Sequence, residues 1–393
     1  MTGVLGDPIS NGKPGEVHSI VLAPGGQQVD ITWVAPTRQL SYHSYWFRQY
    51  LIDEQRFAGV AADWTDGANF HVQQEFASER DEIASAKLSA DGTELGVRWT
   101  DGAEVRMPTE DIWSLSFQED IATAIEPRVW GPGDPFPGHD FEAIMTSEEA
   151  FFDLLVDFAR WGILQISDAP PEPDTVIRIA NRIGTLCPSH LGDTFEVKPK
   201  DDPDHIGEVC AEIPLHIDLV YRQDPPPVQL LHAIKQVEEG GENEFVDVRR
   251  IIELLSPDDL SLLRTTPVDF VADSSRVHFR GRHPILRLDV DGRFEGVYYN
   301  QYKIVIPPTT PSDFYFAFER FRHLIHSPEH LCPVKLPENS VIIFDNRRVL
   351  HGRRRFVSAS RHLVGAFANG DDFRSRLRVM WRERQVAPAR VGP

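Results

Sequence analysis

Apolar residues recur at two different periods along the chain, and the change of period divides it. Up to about Ser116 the period is two. Ile31-Thr32-Trp33-Val34 and Glu94-Leu95-Gly96-Val97-Arg98-Trp99 read as short strands, punctuated by turns at Ala90-Asp91-Gly92 and Thr100-Asp101-Gly102. This predicts a small all-β domain over residues 15–118, preceded by a Gly/Pro/Asn-rich flexible tail over 1–14. A Pro/Gly stretch around Trp130-Gly131-Pro132-Gly133 predicts a linker over 119–140. Residues 141–393 follow as the larger domain.

There the period lengthens. Phe151, Leu154, Leu155 and Phe158 form one stripe of a helix predicted over 148–160, and Ser147 offers an N-cap ahead of two acids. A strand over 162–166 and a helix over 172–183 come next. Beyond Pro214 strands dominate, at 228–234, 244–248, 268–272, 284–288, 341–344 and 362–368, interrupted by a helix over 312–326. The predicted class is α+β, mainly β: a sandwich or barrel core with helical cover.

Charge narrows the partners. A net charge of −20 and a pI near 5.1 exclude nucleic acid and an anionic membrane surface. The chain has no apolar run of 18 residues and no basic, hydrophobic leader at its start, so a soluble cytoplasmic protein acting on a small molecule is expected. Cys187, Cys210 and Cys332 are scattered, form no CxxC pair or disulfide framework, and are expected to be inert thiols.

The candidate chemistry centres on Pro214-Leu215-His216-Ile217-Asp218. Side chains two apart leave one face of a strand, so His216 and Asp218 can point at one atom. An ordinary hydrogen-bonded His–carboxylate pair fits these residues equally well. His351, after the apolar strand Val341-Ile342-Ile343-Phe344 and a turn, supplies a third ligand. Two histidines and one carboxylate on one face of a metal is the arrangement of non-haem Fe(II) oxygenases. Arg361 lies ten residues after His351 at the head of a strand. A 2-oxo acid co-substrate needs a fixed bidentate cation for its far carboxylate, which arginine provides. For the neighbouring Arg347, Arg348, Arg353, Arg354 and Arg355, surface ion pairing is the plain alternative.

These residues carry a resemblance. The run Pro225-Pro226-Pro227-Val228-Gln229-Leu230-Leu231-His232, the turn Gly240-Gly241-Glu242-Asn243, the string Asp345-Asn346-Arg347-Arg348-Val349-Leu350-His351-Gly352-Arg353 and Ser360-Arg361-His362-Leu363 resemble the γ-butyrobetaine dioxygenase branch of the taurine-dioxygenase-like Fe(II)/2-oxoglutarate oxygenases. The resemblance implies a double-stranded β-helix (jelly-roll) core, Fe(II) on His216, Asp218 and His351, and 2-oxoglutarate on Arg361 with Asn243 beside it. It also implies O2 as co-substrate and a homodimer, through the helix over 312–326 or the N-terminal domain. Related halogenases carry a small residue in place of Asp218, so the carboxylate favours oxygen transfer.

Two departures stand out. Relatives bind structural zinc through three Cys and one His after a Trp-Leu-Arg motif, but Trp46-Phe47-Arg48 is followed here by Gln49 to Arg56 without cysteine. His43 and His71 alone make a poor site, so a zinc-free domain held by Trp33, Trp46, Trp64 and Trp99 is expected. The relatives' aromatic cage for a trimethylammonium group is also thinned. Leu191, Phe195, Glu208 and Leu219 stand at its tyrosine or tryptophan positions, and Phe367 lacks a hydroxyl. Asn300, beside Tyr299, keeps a position used for substrate carboxylate, and Glu208 is available to pair with a protonated amine or to sit in solvent. The reading is a 2-oxoglutarate-dependent dioxygenase hydroxylating a small polar amine, betaine or amino-acid-like substrate. The alternatives are desaturation or cyclisation at the same iron, a non-catalytic sensor, and a zinc hydrolase.

Overall fold

The computed structural model describes residues 15–35, 37–48, 82–117, 121–203, 206–274, 276–357 and 360–386. They fall into two units, one ending at Glu119 and one beginning at Asp120.

In the first unit the two-residue period becomes two antiparallel three-stranded sheets. One holds β1 (Val17–Leu22), β2 (Gln28–Trp33) and β3 (Arg38–His43); the other holds β4 (Ile83–Leu88), β5 (Glu94–Trp99) and β6 (Glu104–Pro108). Alternate residues of β2 (Val29, Ile31, Trp33) and β5 (Leu95, Val97, Trp99) are buried in one core. Each buried indole finds an acceptor, as burying an N–H requires: Trp33 Nε1 donates to Tyr42 OH at 3.1 Å and Trp99 Nε1 to Ser44 Oγ at 2.8 Å. Trp46 packs edge-on against Phe47, with ring centroids 5.0 Å apart. Trp64, His71 and residues 49–56 lie outside the described residues.

The second unit is built on two sheets sharing one core. The larger has the order β7 (Gly138–Asp140), β8 (Ile163–Ser167), β19 (Ser340–Asp345), β11 (Val228–Lys235), β21 (His362–Ala368) and β9 (Thr194–Val197). All its pairings are antiparallel except β7 with β8. The smaller has the order β10 (Ile213–His216), β20 (Val349–Arg353), β12 (Asn243–Asp247) and β18 (Cys332–Val334). Leu231, Ile342, Phe344 and Leu363 of the larger sheet meet Phe245, Cys332 and Val349 of the smaller, the jelly-roll interior. The opposite face of the larger sheet, through Val228, Leu230, Val341, Ile343 and Val364, is covered by helices Glu148–Trp161, Thr175–Ile183 and Gly370–Val386. Burial on both faces explains why β11 and β19 read as nearly unbroken apolar runs. A second core lies between the hairpin β13 (Val268–Asp273) with β14 (His278–His283), the strands β15 (Leu286–Leu288), β16 (Phe294–Val297) and β17 (Ile304–Val305), and helices Pro257–Thr265 and Ser312–Ile325.

Helix Glu148–Trp161 starts as expected: Ser147 Oγ accepts from Ala150 N at 3.2 Å, and Gly162 at φ 66° ends the helix. The next helix begins at Thr175 rather than 172, because Glu172 precedes Pro173 and is biased away from helix. Of the stretch expected as a linker over 119–140, the described residues 121–140 belong to the second unit. Ile121 and Ile125 join its helical core, and Trp130 is buried with its Nε1 on Trp161 O at 2.8 Å. Arg348 fastens this stretch, donating to Arg128 O and Arg160 O while forming a fully buried bidentate pair with Asp247 at 2.7 and 3.0 Å.

His232 lies on the helix-covered face of β11, fully buried, with no partner for either ring nitrogen among the described residues. Burial pushes its pKa down to about 4; Glu172 opposes the shift and His362 adds to it. A depressed histidine contributes stability that is fully present above its unfolded pKa and lost as pH falls through the interval down to its folded one. Between about pH 6.5 and pH 5 the folded protein is expected to lose roughly 2 kcal/mol through this group. Denaturant titrations at the two pH values, repeated on His232→Leu, check it: the variant should lose less stability than wild type by about that amount.

Candidate active site

Strand β10 ends at His216, and β20 runs antiparallel beside it so that His216 faces His351 across the ladder. The strands approach closely at Gly352, where a Cβ would lie 2.8 Å from Ile213 O. Asp218 is not on the strand. After His216 the chain turns away, and side chains from elsewhere hold it. Ile217 N donates to Tyr299 O at 2.9 Å. Asn346, in the β19–β20 turn, accepts from Asp218 N at 2.8 Å and donates to Asp218 O at 3.1 Å and Pro226 O at 3.0 Å. Leu219 then takes a left-handed φ of 55°, a conformation that costs a branched side chain energy. The sequence motif therefore converges through an amide clasp and a strained turn rather than through strand alternation.

The three side chains meet. His216 Nε2 is 3.3 Å from Asp218 Oδ1, and His351 Nε2 is 3.9 Å from Asp218 Oδ2. One ligand atom from each lies within 4.8 Å of the others, the only such group of three or more His, Cys, Asp or Glu found among the described residues. The supporting contacts suit a metal. His216 Nδ1 sits 2.9 Å from Pro214 O, which fixes the tautomer and leaves Nε2 for coordination. Gln229 Nε2 donates to Asp218 Oδ2 at 2.6 Å. Burial and the neighbouring His216 push His351 down to about 3, which keeps its imidazole neutral. Burial raises the Asp218 carboxyl, but the hydrogen bond from His216, the electrostatic pull of the two imidazoles and the hydrogen bond from Gln229 outweigh it and hold the group at about 2. Two imidazoles and one carboxylate, with His216 and Asp218 held by neighbours and His351 Nδ1 without a partner among the described residues, could hold a divalent metal on one side and leave the other open.

At the other end of the same cavity lies Arg361, 1% exposed. Its Nη2 reaches Gly241 O and Asn243 Oδ1, each at a long 3.4 Å, while Nε and Nη1 have no partner among the described residues; nor does Asn243 Nδ2. Burial, and then the charge of Arg353, lower its pKa to about 9. The turn before β12 is shaped to it: Gly241, at φ 68°, would put a Cβ 3.3 Å from Arg361 Nε. A buried guanidinium fork with bare donors beside a bare amide N–H is a receptor for a carboxylate.

Between these ends is a cavity of about 570 Å³. Leu191, Phe195, Leu219, Asn300 and Phe367 all line it, as do Gln229, Asn243 and Arg361. Phe195 and Phe367 stack at 5.2 Å, and Phe195 lies directly on Gly365, where any Cβ would overlap its ring. Two expected substrate residues are elsewhere. Tyr299 is buried in the second core against Phe318 and Phe321, and contributes its carbonyl rather than its ring. Glu208 is buried away from the cavity wall, 2.5 Å from Lys200 Nζ, so it is neither a solvent acid nor a cavity acid. Sequence reading missed Gln229, Asn346, Tyr221 and Arg353. Gln229 was detectable as a polar residue inside an apolar strand. Tyr221, beside His190 and Phe279 on the cavity wall, is held neutral by burial and the Asp218 charge, its pKa raised to about 12.

A profile of the taurine catabolism dioxygenase TauD, TfdA family matches residues 122–367. The γ-butyrobetaine dioxygenase of Homo sapiens is 32% identical over 268 residues, covering 65% of this chain and 69% of its own. That of Pseudomonas sp. (strain AK-1) is 29% identical over 369 residues, covering 90% and 94%. A solved taurine dioxygenase from Burkholderia xenovorans superposes with a TM-score of 0.48 at 15% identity, covering 62% and 89%. The chain belongs to the TauD/TfdA family, and is a 2-oxoglutarate-dependent non-haem iron dioxygenase with a jelly-roll core.

Proposed function

We propose that His216, Asp218 and His351 hold Fe(II), that Arg361 with Asn243 receives the far carboxylate of 2-oxoglutarate, and that the enzyme hydroxylates a small amine, betaine or amino-acid-like substrate. The bare donor fork of Arg361, buried in the wall of the cavity that also exposes the His/Asp/His set, carries the reading. The chemistry supplied by the bound iron and co-substrate consumes O2, converts 2-oxoglutarate to succinate and CO2, and places the second oxygen atom in a C–H bond. The protein's residues do the positioning. Asp218 would supply the carboxylate ligand that related halogenases lack, which favours hydroxylation over halogenation. Arg361 fixes the co-substrate's orientation by two parallel N–H donors. Phe195, Phe367, Leu191 and Leu219 form an apolar wall that excludes water from the reacting carbon.

Support for the substrate class is chemical. Two of the relatives named above are γ-butyrobetaine dioxygenases, and this cavity offers two aromatic pairs, Phe195 with Phe367 and Tyr221 with His190, suited to an alkylated cation. Asn300, its Oδ1 accepting from Tyr302 N at 3.1 Å, turns an amide toward the same space. With Glu208 committed to Lys200, a substrate ammonium meets rings rather than a carboxylate partner from that residue. The test is succinate formation with Fe(II), 2-oxoglutarate and a panel of amino acids, betaines and primary amines. Iron-dependent succinate matched by oxidised product from one of these classes is expected. No coupled turnover with any of them would remove the substrate assignment, and a desaturated product would replace hydroxylation.

A further inference from the structure

Strand β20 presents a second arginine on the face that carries His351. Arg353, two residues on, is 3% exposed. Its Nη1 donates to Gly207 O at 3.3 Å, and its Nη2 to Val209 O at 2.5 Å and Ala211 O at 2.7 Å. Its Nε has no partner among the described residues. Phe356 lies between the two buried arginines, its ring centroid 4.8 Å from the Arg353 guanidinium carbon and 5.5 Å from that of Arg361. The two charges are therefore no more than about 10 Å apart, close enough to interact across a dry interior.

Carbonyl oxygens and a ring do not balance a charge. Neither arginine has an ion pair among the described residues, in a chain with 60 Asp and Glu. Elsewhere the arginines of this region are answered: Arg347 by Asp224, Arg348 by Asp247, Arg354 by Glu244. Two uncompensated guanidiniums in one cavity wall is costly unless the molecule that enters carries the missing charge.

We propose that Arg353 is a positioning residue of the co-substrate site, a second cation whose field, held against Phe356, selects a dianionic 2-oxo acid over a monoanionic one. This rests on the reading of the Arg361 cavity as the 2-oxoglutarate site. Arg353 acts on the ligand through space and through Arg361; its three carbonyl contacts hold the segment 207–211, of which Gly207 lines the cavity.

The test compares 2-oxoglutarate with 2-oxobutyrate, which lacks the far carboxylate, by thermal stabilisation of the full chain in the presence of Mn(II), where no turnover occurs. For Arg353→Met the 2-oxoglutarate concentration needed for half-maximal stabilisation should rise about tenfold, with 2-oxobutyrate unchanged. Arg353→Lys, which keeps the charge but cannot span three carbonyls, should restore most of the difference. Equal weakening of both acids, or no recovery with lysine, would show that Arg353 only holds the 207–211 segment and would overturn the inference. If the methionine variant does not fold, Arg353→Gln takes its place, with the same outcomes. A wild type that Mn(II) and 2-oxoglutarate fail to stabilise defeats the cavity reading itself, whereas a responsive wild type with an unaltered Arg353→Met defeats the role of Arg353 alone.

Discussion

His216→Ala is expected to abolish both iron binding and succinate formation while leaving the fold intact. In the proposed site the imidazole is one of three ligands, and two ligands do not retain a labile divalent ion against buffer. Losing a residue that merely supports a ligand costs about 10–100-fold in affinity, and loss of the ligand itself should exceed that. The strand pairing does not depend on the ring, because His216 meets β20 through its backbone and its Nδ1 touches only Pro214 O. Iron titration followed by calorimetry, with far-UV circular dichroism as the folding control, separates the two effects. Gln229→Ala gives a graded comparison: Asp218 loses its 2.6 Å donor but remains a ligand, so iron affinity should fall by about 10–100-fold without disappearing. Full turnover by His216→Ala would remove His216 from the metal site.

The second large effect is at Arg361. Arg361→Met is expected to raise the KM for 2-oxoglutarate by about two orders of magnitude, roughly 3 kcal/mol, which is the scale for truncating one partner of a buried charge pair. Its sign on stability should be opposite. In the ligand-free protein the guanidinium is 1% exposed, with Nε and Nη1 unpartnered among the described residues, so an apolar replacement of similar length removes a desolvated charge. Thermal unfolding without co-substrate should therefore show the variant as stable as wild type or more so, while stabilisation by 2-oxoglutarate is lost. Arg361→Lys should recover only part of the affinity, since an ammonium cannot make the parallel pair of bonds. A variant that lowers ligand-free stability and leaves KM unchanged would make Arg361 a structural residue.

How much of this was legible in the sequence depended on how local each signal is. Strands β11, β19 and β21 lie under helices on one side and over the second sheet on the other, so their apolar runs were plain. The helix Glu148–Trp161 was visible through its stripe and its cap. Strand β14, His-Phe-Arg-Gly-Arg-His, has only two buried residues and no apolar period to read. Helix Gly370–Val386 is rich in arginine, which masks the helical spacing of its few buried positions, Phe373, Leu377 and Met380. The arginines of 347–355 looked alike in sequence, yet Arg348 and Arg353 are buried and Arg354 is half exposed on its side chain. What separates them is what lies opposite each one: Asp247 and two backbone carbonyls for Arg348, the carbonyls of 207–211 for Arg353 and Glu244 for Arg354, all more than 100 residues away in sequence. Glu208 failed as a candidate for the same reason, since its partner Lys200 is set by a loop conformation that no spacing rule describes. His216, Asp218, His351 and Arg361 were legible because their chemistry restricts residue type as well as spacing.

Leu219 joins two properties that enzymes usually keep on separate residues. Its side chain lines the cavity, and its backbone sits at φ 55°. A left-handed conformation costs a residue with a Cβ about 1 kcal/mol or more, and glycine or asparagine relieves some of it. Elsewhere on the wall, cutting back a large apolar side chain loses its burial with nothing in return. At position 219 relief of the backbone offsets part of that loss, immediately beside the ligand Asp218. For a lineage drifting toward new substrates, this is the place where the pocket can be recut at the lowest cost to folding.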